Sequence, residues 1–350
     1  MNYRNFLLFL NPILLQIMLM KDLHIKIKSL LLLIPLTIFL TSCHSKQKPF
    51  KNLAFKAQRN AIIEKYPKIP HDEILQQIAG NHLYSELEER YRQSLSSLKT
   101  AADGDCARLV VVIVTPEVGK FATLSNIYGI PYIIQSCNLL GIDCINLSAD
   151  ISAKEEDPSQ YPDDGNWTKA GSVSLSGFLE EAIARYNDYH SSKTYPSGPK
   201  PPTFGDLPPK DDEIIDGERN MQYRLTVNSQ GLRMDHDLTF PKKKQTILFL
   251  GGSKLYSPYL DNNLIATSLL QKKFPDKEIV NAGNLNYTLD DFLSLYQEKA
   301  SFTEPDVIFI CTNGDDILNF FFSQRNRYSR VNKRYEPTEV ETQFYEQTFN

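Results

Sequence analysis

Three stretches of the chain constrain its fold more than anything else in it. RLVVVIV (108–114), QTILFLGG (245–252) and DVIFICT (306–312) are continuously apolar and rich in β-branched and aromatic residues. A strand with one wet face alternates apolar and polar residues, whereas a strand covered on both faces does not. These runs therefore predict doubly covered, parallel strands. Two further strands are read in GIDCINL and EIVNAG. Between them lie segments with helical spacing. The clearest is LYSELEERYRQSLSSLKTAA, where Leu83, Leu87, Tyr91, Leu95 and Leu98 recur at intervals of three and four. The others are GSVSLSGFLEEAIARYNDYH, NNLIATSLLQKKF and DDFLSLYQEKA, with a helix-rich connection over ATLSNIYGIPYIIQSCNLLG. Strands alternating with helices predict an α/β fold built from βαβ units. The first half supplies two strands and the second supplies three. Neither makes a sheet of ordinary size alone, since about five strands is usual; together they do.

The chain divides by composition into residues 1–43, 44–190, 191–240 and 241–350. Residues 191–215 are dense in proline, which predicts a stiff linker or an extended surface crossing. At the amino terminus, Met20 opens a basic stretch, KDLHIKIK, followed by SLLLLIPLTIFL and the small residues Thr41 and Ser42 before Cys43. A basic region, an apolar run of about a dozen residues and a small-residue end are the parts of a secretory signal. The ending Leu40-Thr41-Ser42-Cys43 resembles the lipobox of bacterial lipoproteins. It implies export to the periplasm or cell surface and a membrane anchor on Cys43. Met20 is read as the true start, with residues 1–19 an over-extended leader.

Basic residues are scattered and the net charge is −4, so no basic face for nucleic acid is expected. Cys106, Cys137, Cys144 and Cys311 lack the close pairing of a zinc site. Cys137 and Cys144 suit either a disulfide or two buried thiols.

In parallel α/β sheets, sites form outside the carboxyl ends of the strands. Four loops belong there. They are Gly251-Gly252-Ser253, Asn281-Ala282-Gly283-Asn284, Thr312-Asn313-Gly314-Asp315-Asp316, and YPDDGNWTKAG at 161–171. Together they resemble the four blocks of the SGNH, or GDSL-like, hydrolases. ILFLGGSKLYS is similar to the nucleophile block, with Ser253 matching the serine and Gly252 replacing the usual aspartate. VNAGNLNYT resembles the second block, with Gly283 matching its oxyanion-hole glycine. PDVIFICTNGDDI resembles the third, and YPDDGNWTKAG the last, a D-x-x-H loop opening the terminal helix. The prelude YRLTVNSQGLRM is also like the segment that precedes the nucleophile strand in many exported members.

The resemblance implies a flavodoxin-like three-layer sandwich and a serine hydrolase of acyl or acetyl esters, carried on a small molecule, a glycan or a lipid. It implies no metal or organic cofactor. Asp163 would orient the base, and Gly283, with Asn313, would bind the oxyanion.

Beyond Gly252, the chain departs from the family in three ways. Asn166 stands where the catalytic histidine belongs, and an amide cannot shuttle a proton near neutral pH. Asp315 stands where the oxyanion-binding asparagine belongs. At ~4 Å and an effective dielectric of about 20, its repulsion of an oxyanion is about 4 kcal/mol. A small loop shift would bring Asn313 in as the donor instead. The half expected last also comes first, as in a circular permutation or in a tandem pair of partial copies; FKAQRN (55–60) and FFSQRN (321–326) are faintly alike. The alternative readings are a catalytically inactive binding protein on the same fold, and the product of a truncated or rearranged gene. GGSKLYS lacks the third glycine of a dinucleotide-binding turn.

Overall fold

The computed structural model describes residues 83–114, 124–153, 166–195, 198–216, 222–285 and 287–317. The amino-terminal leader with Cys43, the loop residue Asp163, His71 and His82, and the similar segments at 55–60 and 321–326 lie outside the described residues. In chain order the elements are α1 (Leu83–Gly104), β1 (Arg108–Ile113), α2 (Leu124–Leu140), β2 (Asp143–Asn146), α3 (Ser148–Ala153) and α4 (Lys169–Ala184). The second half follows with a hairpin of β3 (Lys210–Asp216) and β4 (Gln222–Val227), then β5 (Gln245–Gly251), α5 (Ser253–Tyr256), α6 (Ala266–Lys273), β6 (Lys277–Asn281), α7 (Leu289–Glu298) and β7 (Val307–Thr312).

The five strands read from the sequence form one parallel sheet, ordered β2-β1-β7-β5-β6. The seam between the halves is β1 against β7, paired from Arg108↔Val307 to Ile113↔Thr312. The halves are thus two parts of one sheet. Numbered from β5, with β1 and β2 following β7, the spatial order is 2-1-3-4-5. That is a doubly wound order whose crevice opens where the winding reverses, between the first and third strands. In this molecule the reversal falls between β5 and β7.

Alternation is invisible in the apolar runs, yet it organises the two layers around them. Leu109, Val111 and Ile113 of β1 face one core with Leu95 of α1, Ile133 of α2 and Phe292 of α7. Val110 and Val112 face the other with Leu179 of α4 and Leu270 of α6. At about 1.5–3 kcal/mol per buried large apolar side chain, a strand that feeds both cores has no room for polar positions. The three-layer α/β sandwich expected from the sequence is the one observed.

The amino ends of the strands are tied together by the segment that joins the halves. Asp306 is 1% exposed. Its carboxylate accepts from the backbone N–H groups of Ser191 and Thr246 and from Lys242 Nζ, each at 2.8 Å. Asp105 accepts from the Tyr296 hydroxyl at 2.6 Å and pairs with Lys193. Lys200 pairs with Glu304 and lies 3.9 Å from the Phe240 ring centroid. The proline-rich stretch is therefore an anchored crossing along this edge. It ends in β3, KDDEIID, which has no apolar alternation and is a strand only through its pairing with β4.

Candidate active site

The turn from β5 into α5 leaves no room for a side chain at Gly251. A β-carbon at Gly251 would lie 2.7 Å from Leu255 Cβ and 3.1 Å from the Cys311 carbonyl oxygen. Gly252 caps α5, its carbonyl accepting from the N–H groups of Leu255 and Tyr256 at 3.1 and 2.9 Å. Ser253 is the first residue of this single turn, half-buried, at the carboxyl end of β5. Ser257 closes the turn in the left-handed region, φ 55°, donating to the Ser253 carbonyl at 2.7 Å.

The loop after β6 zips onto the same strand end. Ala282 donates to the Phe249 carbonyl at 3.0 Å and Asn284 to the Gly251 carbonyl at 3.0 Å. A β-carbon at Gly283 would meet Leu255 Cγ at 3.0 Å, so this glycine packs against the helix that carries Ser253. Its N–H donates to Asn281 Oδ1 at 2.9 Å, while Asn281 Nδ2 donates to Thr267 Oγ1 at 2.9 Å. In this state the Gly283 amide is engaged by a neighbouring side chain.

Asp316 holds the loop after β7. Its carboxylate accepts from Thr312 Oγ1 at 2.7 Å and from the Asn313 N–H at 3.0 Å. Asp316 thus acts as a clamp, and Asp315, half-buried, is its neighbour on the same loop. Asn313 Oδ1 is buried without a hydrogen-bond partner. Leaving such an acceptor unpaired costs about 1–3 kcal/mol, so this oxygen suits a hydrogen-bond donor. Gly129 of α2 lies beneath this loop, where a β-carbon would sit 2.4 Å from the Gly314 carbonyl oxygen. In the sequence this glycine reads only as a weak point in a helix.

The fourth loop reaches the same neighbourhood. Thr168 caps α4, its Oγ1 accepting from the Gly171 N–H at 3.2 Å. Trp167, 2% exposed, is buried in the same apolar cluster as Leu255 of α5. Ser172 Oγ donates to the Leu264 carbonyl at 2.7 Å, joining α4 to the segment after α5. Asn166, half-buried, begins the described part of this loop. The structure thus brings Ser253, Gly283, the Asn313–Asp315 loop and the Asn166 loop to the carboxyl edge of one sheet.

Two histidines are described, and both lie elsewhere. His190 is exposed beyond α4, next to Ser191 at the opposite, amino edge. His236 has Nδ1 2.7 Å from Asp235 and Nε2 2.6 Å from Glu278. Hydrogen bonding to Glu278, reinforced by Asp235, pushes its pKa up to about 9, so it is a fixed imidazolium near neutral pH and a poor base. A cleft of about 300 Å³ next to it is lined in part by Arg224, Asp261, Gln271 and Lys272. Much of its polar lining is spent internally: Asp261 accepts from the Arg224 N–H at 2.6 Å, and Gln271 bonds the Phe274 and Lys277 carbonyls and the Ile279 N–H. The carboxyl edge at β5 and β7 is therefore the better candidate. Among the described residues, no group of three or more His, Cys, Asp or Glu side chains is arranged to hold a metal ion.

One supporting residue was not legible. Arg233, in the prelude, is 1% exposed. Its guanidinium donates to Asn262 Oδ1 at 3.0 Å and to the carbonyls of Tyr256, Ser257 and Leu260, with its Cζ 4.6 Å from the Tyr256 ring centroid. A buried cation offered several carbonyls and an aromatic face fixes the chain that leaves α5.

No family model matches this sequence, and no curated protein matches it. Solved structures similar to it include the O-acetyltransferase domain of Pseudomonas putida AlgJ, at 16% identity and TM-score 0.41, covering 72% of this chain and 92% of that one. Pseudomonas aeruginosa AlgX follows at 14% identity and TM-score 0.35, covering 65% and 61%. Bacillus cereus PatB1 with a sulfonyl adduct matches at 8% identity and TM-score 0.37, covering 67% and 91%.

Proposed function

We propose that this protein is an SGNH-type serine ester hydrolase acting on an acyl or acetyl ester of a glycan, a lipid or a small molecule. The observation that carries the proposal is the position of Ser253. It heads a one-turn helix after a turn that is tight at Gly251, at the reversal of the sheet, between the loops of β6 and β7. A serine on a tight turn at the carboxyl tip of a strand is placed to attack an ester carbonyl. In this reading Ser253 Oγ attacks the ester carbonyl and gives its proton to solvent water. The alcohol leaves with a proton from water, and a second water hydrolyses the acyl-serine. The Gly283 N–H donates to the oxyanion by sharing its bond to Asn281, and Asn313 would join it through Nδ2, its Oδ1 turned away. Asp163 keeps the orienting role that the resemblance implies, and Asn166 stands in the position of the base. Residues 20–43 support an exported protein anchored to a membrane through Cys43. A circular permutation accounts for the sheet order counted from β5.

A second reading, an ester-binding protein without turnover, is favoured by Asn166 in the base position. The two separate by covalent labelling with a fluorophosphonate probe, with the site mapped by mass spectrometry. The hydrolase reading expects adduct on Ser253, formed about 10²-fold faster in Asn166→His, because a positioned general base contributes at least that factor. No adduct in either protein would leave the binding reading.

A further inference from the structure

We infer that Cys137 and Cys144 are a thiol pair built to close into a disulfide that fastens the last turn of α2 to the edge strand β2. The backbone brings them together. Gly141, at φ 62°, turns the chain out of α2, and the Ile142 N–H donates to the Cys137 carbonyl at 2.9 Å, so β2 begins directly against the helix end. Cys144 pairs in parallel register with Val111, and paired residues of neighbouring strands face the same side. Val111 faces the core beneath α1 and α2. Cys137 is fully buried in that core, and Cys144 is packed against it from the strand. Both thiols therefore enter the same core, one from the last turn of α2 and one from the strand beneath it.

The two sulfurs are not equivalent, and this gives the reaction an order. Cys144 is half-buried and Cys137 fully buried. Donation from Cys137 holds the Cys144 pKa below that of an ordinary thiol, while the same bond and burial push Cys137 upward. The thiolate is the nucleophile of thiol–disulfide exchange, so Cys144 attacks first. Its sulfur bonds to one sulfur of a small-molecule disulfide, such as glutathione disulfide, and the other sulfur leaves as a thiol. Cys137 then loses its proton and attacks the Cys144 sulfur of the mixed disulfide, releasing the second small thiol. Two protein thiols are oxidised by two electrons, and one disulfide is reduced to two thiols. The other described cysteines lack this arrangement: Cys106 is exposed on a turn at φ 53°, and Cys311 is buried within β7, its thiol pushed up to about 12 by burial.

The bond would act on the helix that backs the candidate site. The same helix places Gly129 against the Gly314 carbonyl, beneath the Asn313 loop.

The test uses the full chain, incubated with glutathione disulfide, blocked with N-ethylmaleimide under denaturing conditions and digested with trypsin. Cys137 and Cys144 fall in one peptide, residues 121–154. The expected product is that peptide two hydrogens lighter and unlabelled, taking up maleimide on both cysteines only after reduction. Cys137→Ser should accumulate a glutathione adduct on Cys144, and Cys144→Ser should leave Cys137 without one. Two maleimide labels on the unreduced wild-type peptide would overturn the pairing. A stable glutathione adduct in place of the internal bond would also overturn it. An adduct on Cys137 in Cys144→Ser, with none on Cys144 in Cys137→Ser, would overturn the order.

Discussion

The two ends of the sheet are built for different purposes. At the amino end, carboxylates are buried and answered: Asp306 accepts three hydrogen bonds and Asp105 holds Tyr296 and Lys193. At the carboxyl end, the chain is glycine where backbone meets backbone or helix. One amide oxygen there, Asn313 Oδ1, is buried without a partner. The first arrangement fixes two separated pieces of chain into one sheet. The second packs loops closely around Ser253 and leaves one buried acceptor among them unpaired. Stability and chemistry are therefore expected to respond to different substitutions.

The largest effect is expected at the amino end. Asp306→Ala removes the acceptor of two backbone N–H groups and one of the two acceptors of Lys242, and each buried donor left unpaired costs about 1–3 kcal/mol. Urea unfolding should show an unfolding free energy lowered by an amount of that order, while fluorophosphonate labelling of the remaining folded protein keeps its rate. Labelling lost in step with stability would erase the distinction between the ends.

At the carboxyl end, Gly129→Ala sets a methyl group against the Gly314 carbonyl, a backbone atom that cannot rotate away. Overpacking of this kind costs about 1–3 kcal/mol, partly offset by the better helix propensity of alanine. The labelling rate of Ser253 should fall as the Asn313 loop is displaced. An unchanged rate would detach that loop from the site.

The smallest effect belongs to His236, which lies at neither end. Its pKa rises from 6.5 to about 9 in the folded protein, chiefly through Glu278 and then Asp235. Folding is therefore favoured in full below about pH 6.5, and this contribution disappears as the pH rises through about 9. The imidazole is 43% exposed, so screening keeps the effect under about 1 kcal/mol. The difference in unfolding free energy between wild type and His236→Gln should shrink between those pH values. A constant difference would mean that His236 is not charged by its carboxylate neighbours.

What the sequence made legible follows the strength of its patterns. The apolar runs of β1, β5 and β7 announced doubly covered strands, and the glycine, asparagine and serine residues after β5, β6 and β7 marked the loops of the candidate site. Pairing was a different matter, because an apolar run does not say which strand lies beside it; only the β1–β7 seam shows the halves share a sheet. Asp306 and Arg233 read as charges beside apolar segments, where solvated groups are common. Their burial depends on partners far away in the chain. The strand β3 was missed because KDDEIID carries no alternation and owes its conformation to β4. The four loops could be named one by one, but their meeting at a single edge required the sheet order.

The central claim is that the carboxyl edge at β5 and β7 is a site and that Ser253 is its nucleophile. The most direct measurement is hydrolysis of p-nitrophenyl acetate by wild type and Ser253→Ala, with the unfolding midpoint of each. The account predicts turnover above background in the wild type, reduced to background in the variant, at the same midpoint. Equal rates in the two proteins would contradict it.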